Sequence, residues 1–243
     1  LESGTRAPSG FVPAFVLGGL LCAGLALLGS LLANGVITIK ALERTVTVKG
    51  LSEREVPADV AIWPIRFNEA SDGLNQLATL IQAKNGQVVE FLRASGFTDA
   101  EISLSPPALV DRKAQNYGDQ NVGLRYSGTS TINVYTTDVG KVRAAMGKVV
   151  ELGKAGIAVT GQDYETRTEF LFTKLNEIKP AMIEEATRNA REVAEKFARD
   201  SQSTLGRIRT ASQGQFTIDN RDSNTPHIKK VRVVSTVEYY LSD

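Results

Sequence analysis

No charged residue stands between Arg6 and Lys40. The run from Phe11 to Ile39 is rich in Leu, Gly, Ala and Val. It exceeds the roughly 20 residues a helix needs to cross a hydrocarbon core. A buried helix of this length with no polar face does not suit a chain of only 243 residues. The run therefore reads as a single-pass transmembrane signal anchor, with Pro13 near its start, where a missing N–H does little harm. The competing reading is a cleaved signal peptide. Its apolar region would be about 7–15 residues, shorter than this run, although small residues near Ser30 and Ala33 could serve a peptidase. The chain does not begin with Met, so residues 1–10 read as a tail that need not be native.

Two features of the anchor bear on what it does. Glu2 and Arg6 precede it, whereas Lys40, Arg44 and Lys49 follow. Taken literally, the excess of cations after the span places the body in the cytoplasm. Ala14, Gly18, Cys22, Ala26 and Ser30 recur at every fourth position and form a stripe of small residues along one side of the helix. Such stripes let helices approach closely in lipid, which would favour self-association. Membrane helices are rich in small residues in any case, so the stripe has an equally plain explanation. Cys22, the only cysteine, fits the stripe as a small packing residue.

The body, residues 40–243, is near-neutral, and the whole chain carries a formal net charge of +1. No basic stripe is visible, so nucleic acid is not an expected partner. The lone Cys22 excludes an intrachain disulfide, and the lone His227 excludes any site needing two imidazoles from one chain. Alternating apolar residues predict strands at 45–50 and 59–68, with Gly50 at a bulge or bend and Pro64 marking an edge or a bulge. Asp72 is the expected N-cap of a helix carrying Leu74, Leu77, Ala78, Ile81, Val88, Phe91 and Leu92, which Gly96 should stop. A strand over 102–110 is interrupted by Pro106 and Pro107. A polar hairpin loop over 111–123 then leads into a strand over 124–136.

Asp138 should cap a second helix bearing Val139, Val142, Met146, Val149 and Val150, ending at Gly153 or Gly156. A further strand is expected within 157–172. The third helix places Pro180 in its first turn and Ile178, Met182, Ala186, Ala190, Val193, Phe197 and Ala198 on an apolar stripe, with Gly206 as its stop. Strands near 208–216 and over 228–241 close the chain, separated by the polar stretch 219–226. The order β-β-α-β-β-α-β-α-β-β predicts an α+β fold, mainly antiparallel sheets with three helices, behind the transmembrane helix.

This succession resembles the SIMPL-domain family of bacterial cell-envelope proteins. Its carriers are Val46-Thr-Val-Lys-Gly, Val56-Pro-Ala-Asp-Val-Ala, Leu92-Arg-Ala-Ser-Gly-Phe, Asp99-Ala-Glu-Ile and Tyr126-Ser-Gly-Thr-Ser-Thr-Ile-Asn-Val. The Ala-rich helix from Glu184 to Phe197 and the ending from Val231 to Leu241 complete the series. The family often shows Pro-Asp-Xaa-Ala, and here Ala58 intervenes. The resemblance covers nearly all of the body. It implies an α+β body, assembly into large homo-oligomers, and a single-pass position in the bacterial inner membrane with the body in the periplasm. That orientation opposes the literal reading of the flanking charges, and the resemblance takes precedence. Some members are periplasmic immunogens or oxidative-stress defence proteins. The family supplies no catalytic residue to carry over.

The residues themselves offer little chemistry. His227 follows Pro226 in a polar loop, where a solvated histidine is the simpler reading. The stretch from Asp219 to Asn224 comes nearest a Ca²⁺ loop but contains Arg221 and lacks glycine. The glycines between Gly147 and Gly156 lack the order of a phosphate loop, and no nucleophile elbow occurs. No catalytic, cofactor or metal residue is therefore assigned, and no cofactor is expected. Tyr117, Tyr126, Tyr239 and Tyr240 are candidate interface residues, with one of the last pair facing outward. The leading expectation is an anchored, non-enzymatic homo-oligomer whose partners are the bilayer and copies of itself. The alternative is a periplasmic module binding a partner protein or a small ligand.

Overall fold

The computed structural model describes residues 11–41, 44–115, 123–160 and 166–242. Helix α1 (Phe11–Ala41) is followed by β1 (Thr45–Pro57), β2 (Val60–Ser71), α2 (Leu74–Ala94), β3 (Ile102–Leu104) and β4 (Ala108–Asp111). Then come α3 (Arg112–Gln115), β5 (Tyr126–Thr136), α4 (Val139–Met146), α5 (Val150–Lys154) and β6 (Glu169–Leu171). The chain closes with α6 (Leu175–Asp200), β7 (Thr204–Gln213), β8 (Thr217–Asn220) and β9 (Ile228–Ser242). The class is α+β with antiparallel pairing, as predicted. Behind α1 the described residues form five helices rather than three. One turn of helix follows β4, and the helix expected after Asp138 breaks in two at residues 147–149.

Helix α1 is apolar on every side. Val16–Ile37 has a mean hydropathy of 2.2, and its side chains are exposed throughout. At 1.5 Å per residue these 22 residues reach about 33 Å, enough to cross a hydrocarbon core of about 30 Å. The helix is thus long and apolar enough to act as a signal anchor or a single membrane span.

The chain divides into two compact units. The larger comprises the described residues of Ser52–Ile183 and Gln215–Val233. Its five-stranded sheet has the order β3-β5-β2-β6, with β4 also paired to β5. Strand β2 runs antiparallel to β5 from Ala61↔Thr136 to Ser71↔Tyr126. Alternation turns Trp63, Ile65 and Phe67 inward, where they join Ile132 and Val134 of β5. Val88 and Leu92 of α2, Val142 and Ala145 of α4, and Leu152 of α5 complete this core. Each large apolar side chain so buried contributes about 1.5–3 kcal/mol.

Proline and glycine punctuate this unit differently from expectation. Pro106 and Pro107 split the predicted strand into β3 and β4. Pro64, expected at an edge or a bulge, lies in an interior strand in regular register opposite Asn133. On its other flank, among the described residues, β6 is registered only to Val60–Ile62. Arg66, two residues on, turns its carbonyl to that flank and accepts the Thr160 N–H at 2.8 Å. By strand alternation Pro64 faces the same way, so its missing N–H costs no bond of the β2–β5 ladder.

Asp72 is not the N-cap of α2. That position is Gly73, whose N–H donates to Ser71 Oγ at 3.2 Å, and Asp72 instead accepts the Arg125 N–H at 3.1 Å. Gly96 does end the helix, with φ of 90° that favours glycine. Asp138 caps α4 as predicted, accepting the Lys141 N–H at 2.8 Å.

The smaller unit comprises the described residues of Leu1–Leu51, Glu184–Gly214 and Val234–Asp243. Strands follow the order β1-β9-β7 in its sheet, while β8 pairs with Lys229–Arg232 of β9 among the residues of the larger unit. Helix α6 lays Ala190 and Ala194 against Val48, Val237 and Tyr239. Its buried line is Ala186, Ala190, Ala194 and Ala198, at every fourth residue. Val193 and Phe197, expected on that stripe, are 37% and 56% exposed. Small residues at the contact let the helix sit close to the sheet, and this leaves no room for a phenyl ring beneath it.

Three further expectations for this stretch are corrected. Helix α6 starts at Leu175, so Pro180 lies inside it rather than in its first turn. The helix ends at Asp200, followed by Gln202 at φ 53°. Gly206 lies in β7 at an irregular register, where a Cβ would come 3.0 Å from the Tyr240 carbonyl oxygen.

Candidate binding site

Helix α2 and the β3–β4 segment enclose a groove of about 520 Å³ in the larger unit. Ala78, Ile81, Val89, Leu104, Pro107 and Leu109 give it apolar walls. Gln82, Asn85, Gly86 and Arg93 complete the lining. The groove exists because α2 packs one face on the sheet and leaves the adjoining face beside the edge strands. Gly128 of β5 lies beneath it. A Cβ there would come 2.4 Å from Ile81 Cδ1 and 2.9 Å from Leu109 Cδ2, so the glycine lets both chains settle. Asn85 is buried and accepts the Ser130 hydroxyl at 2.8 Å. Arg93 donates through Nε to Asp99 at 2.7 Å, a pair that raises the guanidinium pKa.

A second cleft of about 390 Å³ is polar. Arg167, Thr168, Glu169, Asn220 and Lys229 line it together with Phe170, Leu171 and Pro226. Lys229 is buried, and its Nζ donates to Asn220 Oδ1. Burial and the nearby Arg167 charge push its amine below the usual lysine range, while Glu169 and Asp219 oppose the shift. His227 stands edge-on to Phe170 with ring centroids 6.1 Å apart. Burial, then Arg143 and Arg221, lower its pKa. It is half-buried rather than a freely solvated loop residue. Among the described residues no three of His, Cys, Asp or Glu gather to hold a metal ion.

The residues singled out from the sequence do not converge on either cleft. Tyr117 and the side chain of Ala14 lie outside the described residues. Tyr126 is half-buried under the Arg125 guanidinium, 4.9 Å from the ring centroid, and Asp111 pairs with Arg125 at 2.8 Å. Tyr239 is buried beneath α6, so it is core rather than surface. Tyr240 is half-buried with Arg209 5.9 Å from its ring centroid. Gly18, Cys22, Ala26 and Ser30 lie exposed on α1, and Ser30 Oγ donates to the Leu27 carbonyl at 2.9 Å.

The loop compared with a Ca²⁺ site is organised from within. Asp222 accepts N–H groups of Asn224 and Thr225 at 2.8 and 2.7 Å, the Thr225 hydroxyl, and Arg221. The Thr225 hydroxyl and Arg221 hold its carboxyl below the usual range.

Sequence reasoning missed Asn85 and Gly86. A signal existed: the apolar spacing of α2 skips from Ile81 to Val88, and the missing core position holds an amide. A glycine in the middle of a helix was a second, since it weakens the helix unless something needs the space.

A family model described as SIMPL, protein of unknown function (DUF541), matches residues 46–238, most of the chain. No curated protein matches it.

Proposed function

The chain belongs to the SIMPL family, and on that premise we propose an anchored, envelope-facing, non-enzymatic protein that assembles with copies of itself. The anchor is α1, seated in the bacterial inner membrane, with the body on the periplasmic side. The observation that carries the assembly reading lies in the smaller unit. Asn189, Val193 and Phe197 follow one another at every fourth position along one side of α6. Asn189 Nδ2 donates to the Leu51 carbonyl at 2.8 Å, which sets that side against β1. Among the described residues β1 ends its sheet. An open strand edge beside an exposed phenyl ring is a surface that a second copy can cover by strand pairing and apolar burial.

Light scattering on the full chain in mild detergent tests this. The expected result is one discrete particle of several chains, reduced in mass by Phe197→Ser. A monodisperse single chain would count decisively against assembly. Any part in oxidative-stress defence would then follow from assembly or binding, since the only thiol, Cys22, lies in α1.

A second reading, a module that binds a small ligand, is favoured by the apolar groove along α2. Pockets of this size and lining commonly hold small molecules.

A further inference from the structure

Two groove residues set its character. Gly86 lies midway along α2, where glycine weakens a helix relative to alanine. Its backbone is not left-handed, and a Cβ there would meet nothing within 4 Å. Neither conformation nor packing asks for glycine. Its effect is to deepen the groove.

Asn85 is the second. It is 8% exposed and lines the groove. Its Oδ1 is used by Ser130, while Nδ2 keeps contact with solvent and is not a buried unpaired donor. A ligand oxygen that displaces water from this amide keeps its hydrogen bond while the apolar walls gain contact.

We propose that this groove binds an acyl compound, with the hydrocarbon chain over Gly86 and the carbonyl oxygen on Asn85 Nδ2. The assignment rests on the ligand-binding reading above and names its ligand class. Ile81, Val89, Leu104 and Leu109 offer a chain the apolar contact it needs. The lining from Ala78 to Arg93 follows about 22 Å of helix, which suits an elongated molecule better than a compact one. Arg93 is the one charged residue in the lining, and its charge is already paired with Asp99. An ammonium head is disfavoured because it offers no acceptor for Asn85, not because of an uncompensated charge in the lining. Pro106 and Pro107 separate β3 from β4. The wall thus lacks the continuous strand edge that an added peptide strand would need.

Equilibrium dialysis of the full chain in lipid nanodiscs tests the proposal, with empty nanodiscs correcting for partition into lipid. The probes are dodecanoate, dodecanamide and dodecyltrimethylammonium. We expect saturable binding of at least one carbonyl probe, tenfold or more tighter than the cation. Preference between the two carbonyl probes separates a free acid from an acylated amine. Gly86→Leu fills the open space with a good helix former, so it should keep the thermal melt and weaken binding at least tenfold. Asn85→Ala should erase the preference for the carbonyl probes. If the cation binds as tightly and Gly86→Leu still blocks it, the acyl assignment is overturned while the groove remains a ligand site. No saturable binding of any probe, or Gly86→Leu binding as the wild type does, overturns the groove itself.

Discussion

Gly50 and Ala186 approach so closely that a Cβ built on Gly50 would lie 1.8 Å from the Ala186 carbonyl oxygen. The same Cβ would come 2.4 Å from the Ala190 nitrogen. Both obstacles are helix backbone, which cannot swing aside as a side chain can. Gly50 was expected at a bulge or bend, and its role proves to be helix–strand contact. Gly50→Ala should therefore destabilise the body by about 3 kcal/mol or more, the upper range of overpacking. Urea titration of the detergent-solubilised chain reads this as a lower midpoint. An unchanged midpoint would show that α6 can lift off β1 without cost.

What the sequence makes legible is what neighbouring residues decide among themselves. Asp138 and Gly96 act within their own helix ends, and both were read correctly. The two prolines at 106 and 107 break their strand locally, and they too were foreseen. The errors fall where distant chain decides. Phe197 and Ala194 both satisfy helical spacing, and only the close seat of α6 on the sheet puts the alanine inside and leaves the ring out. Asp72 could have capped α2, but Arg125, distant in sequence, holds its carboxylate and Ser71 receives the Gly73 N–H instead. The groove was illegible for the same reason, since its walls come from α2 and from the β3–β4 segment.

Glu101 ties the turn before β3 to the end of β5. Its carboxylate accepts the Thr136 hydroxyl, the Thr98 N–H at 2.8 Å and the Thr98 hydroxyl at 2.9 Å, with Lys141 3.5 Å away. The Thr136 bond leads in lowering its pKa, from 4.5 to about 2. A depressed carboxyl contributes stability that is present above its unfolded pKa and is lost as pH falls through the folded one. The window here runs from about 4.5 down to about 2. Glu101→Gln should cost about 1–2 kcal/mol at neutral pH and lose less than the wild type does across that window. Denaturation midpoints at pH 5 and pH 2.5 supply the comparison. Equal acid losses in the two proteins would remove Glu101 from the account.

Lys229 gives the opposite end of the pH scale. The unfolded chain holds this proton up to about 10.5, whereas burial lets the folded protein release it at lower pH. Between the two values unfolding takes up a proton, so rising pH opposes unfolding and stability increases. The increase ends once the pH passes the unfolded value. Arg167 adds to the shift, while Glu169 and Asp219 resist it. Lys229→Met keeps the apolar stem and removes the titrating group. It should cost about 1 kcal/mol through the lost bond to Asn220, and that cost should be smallest where the amine is charged. The variant should also flatten the rise in stability as pH climbs toward about 10.5, read from urea midpoints. A variant whose midpoints climb as steeply as those of the wild type would place the amine in contact with water, and the polar cleft would then be an open surface.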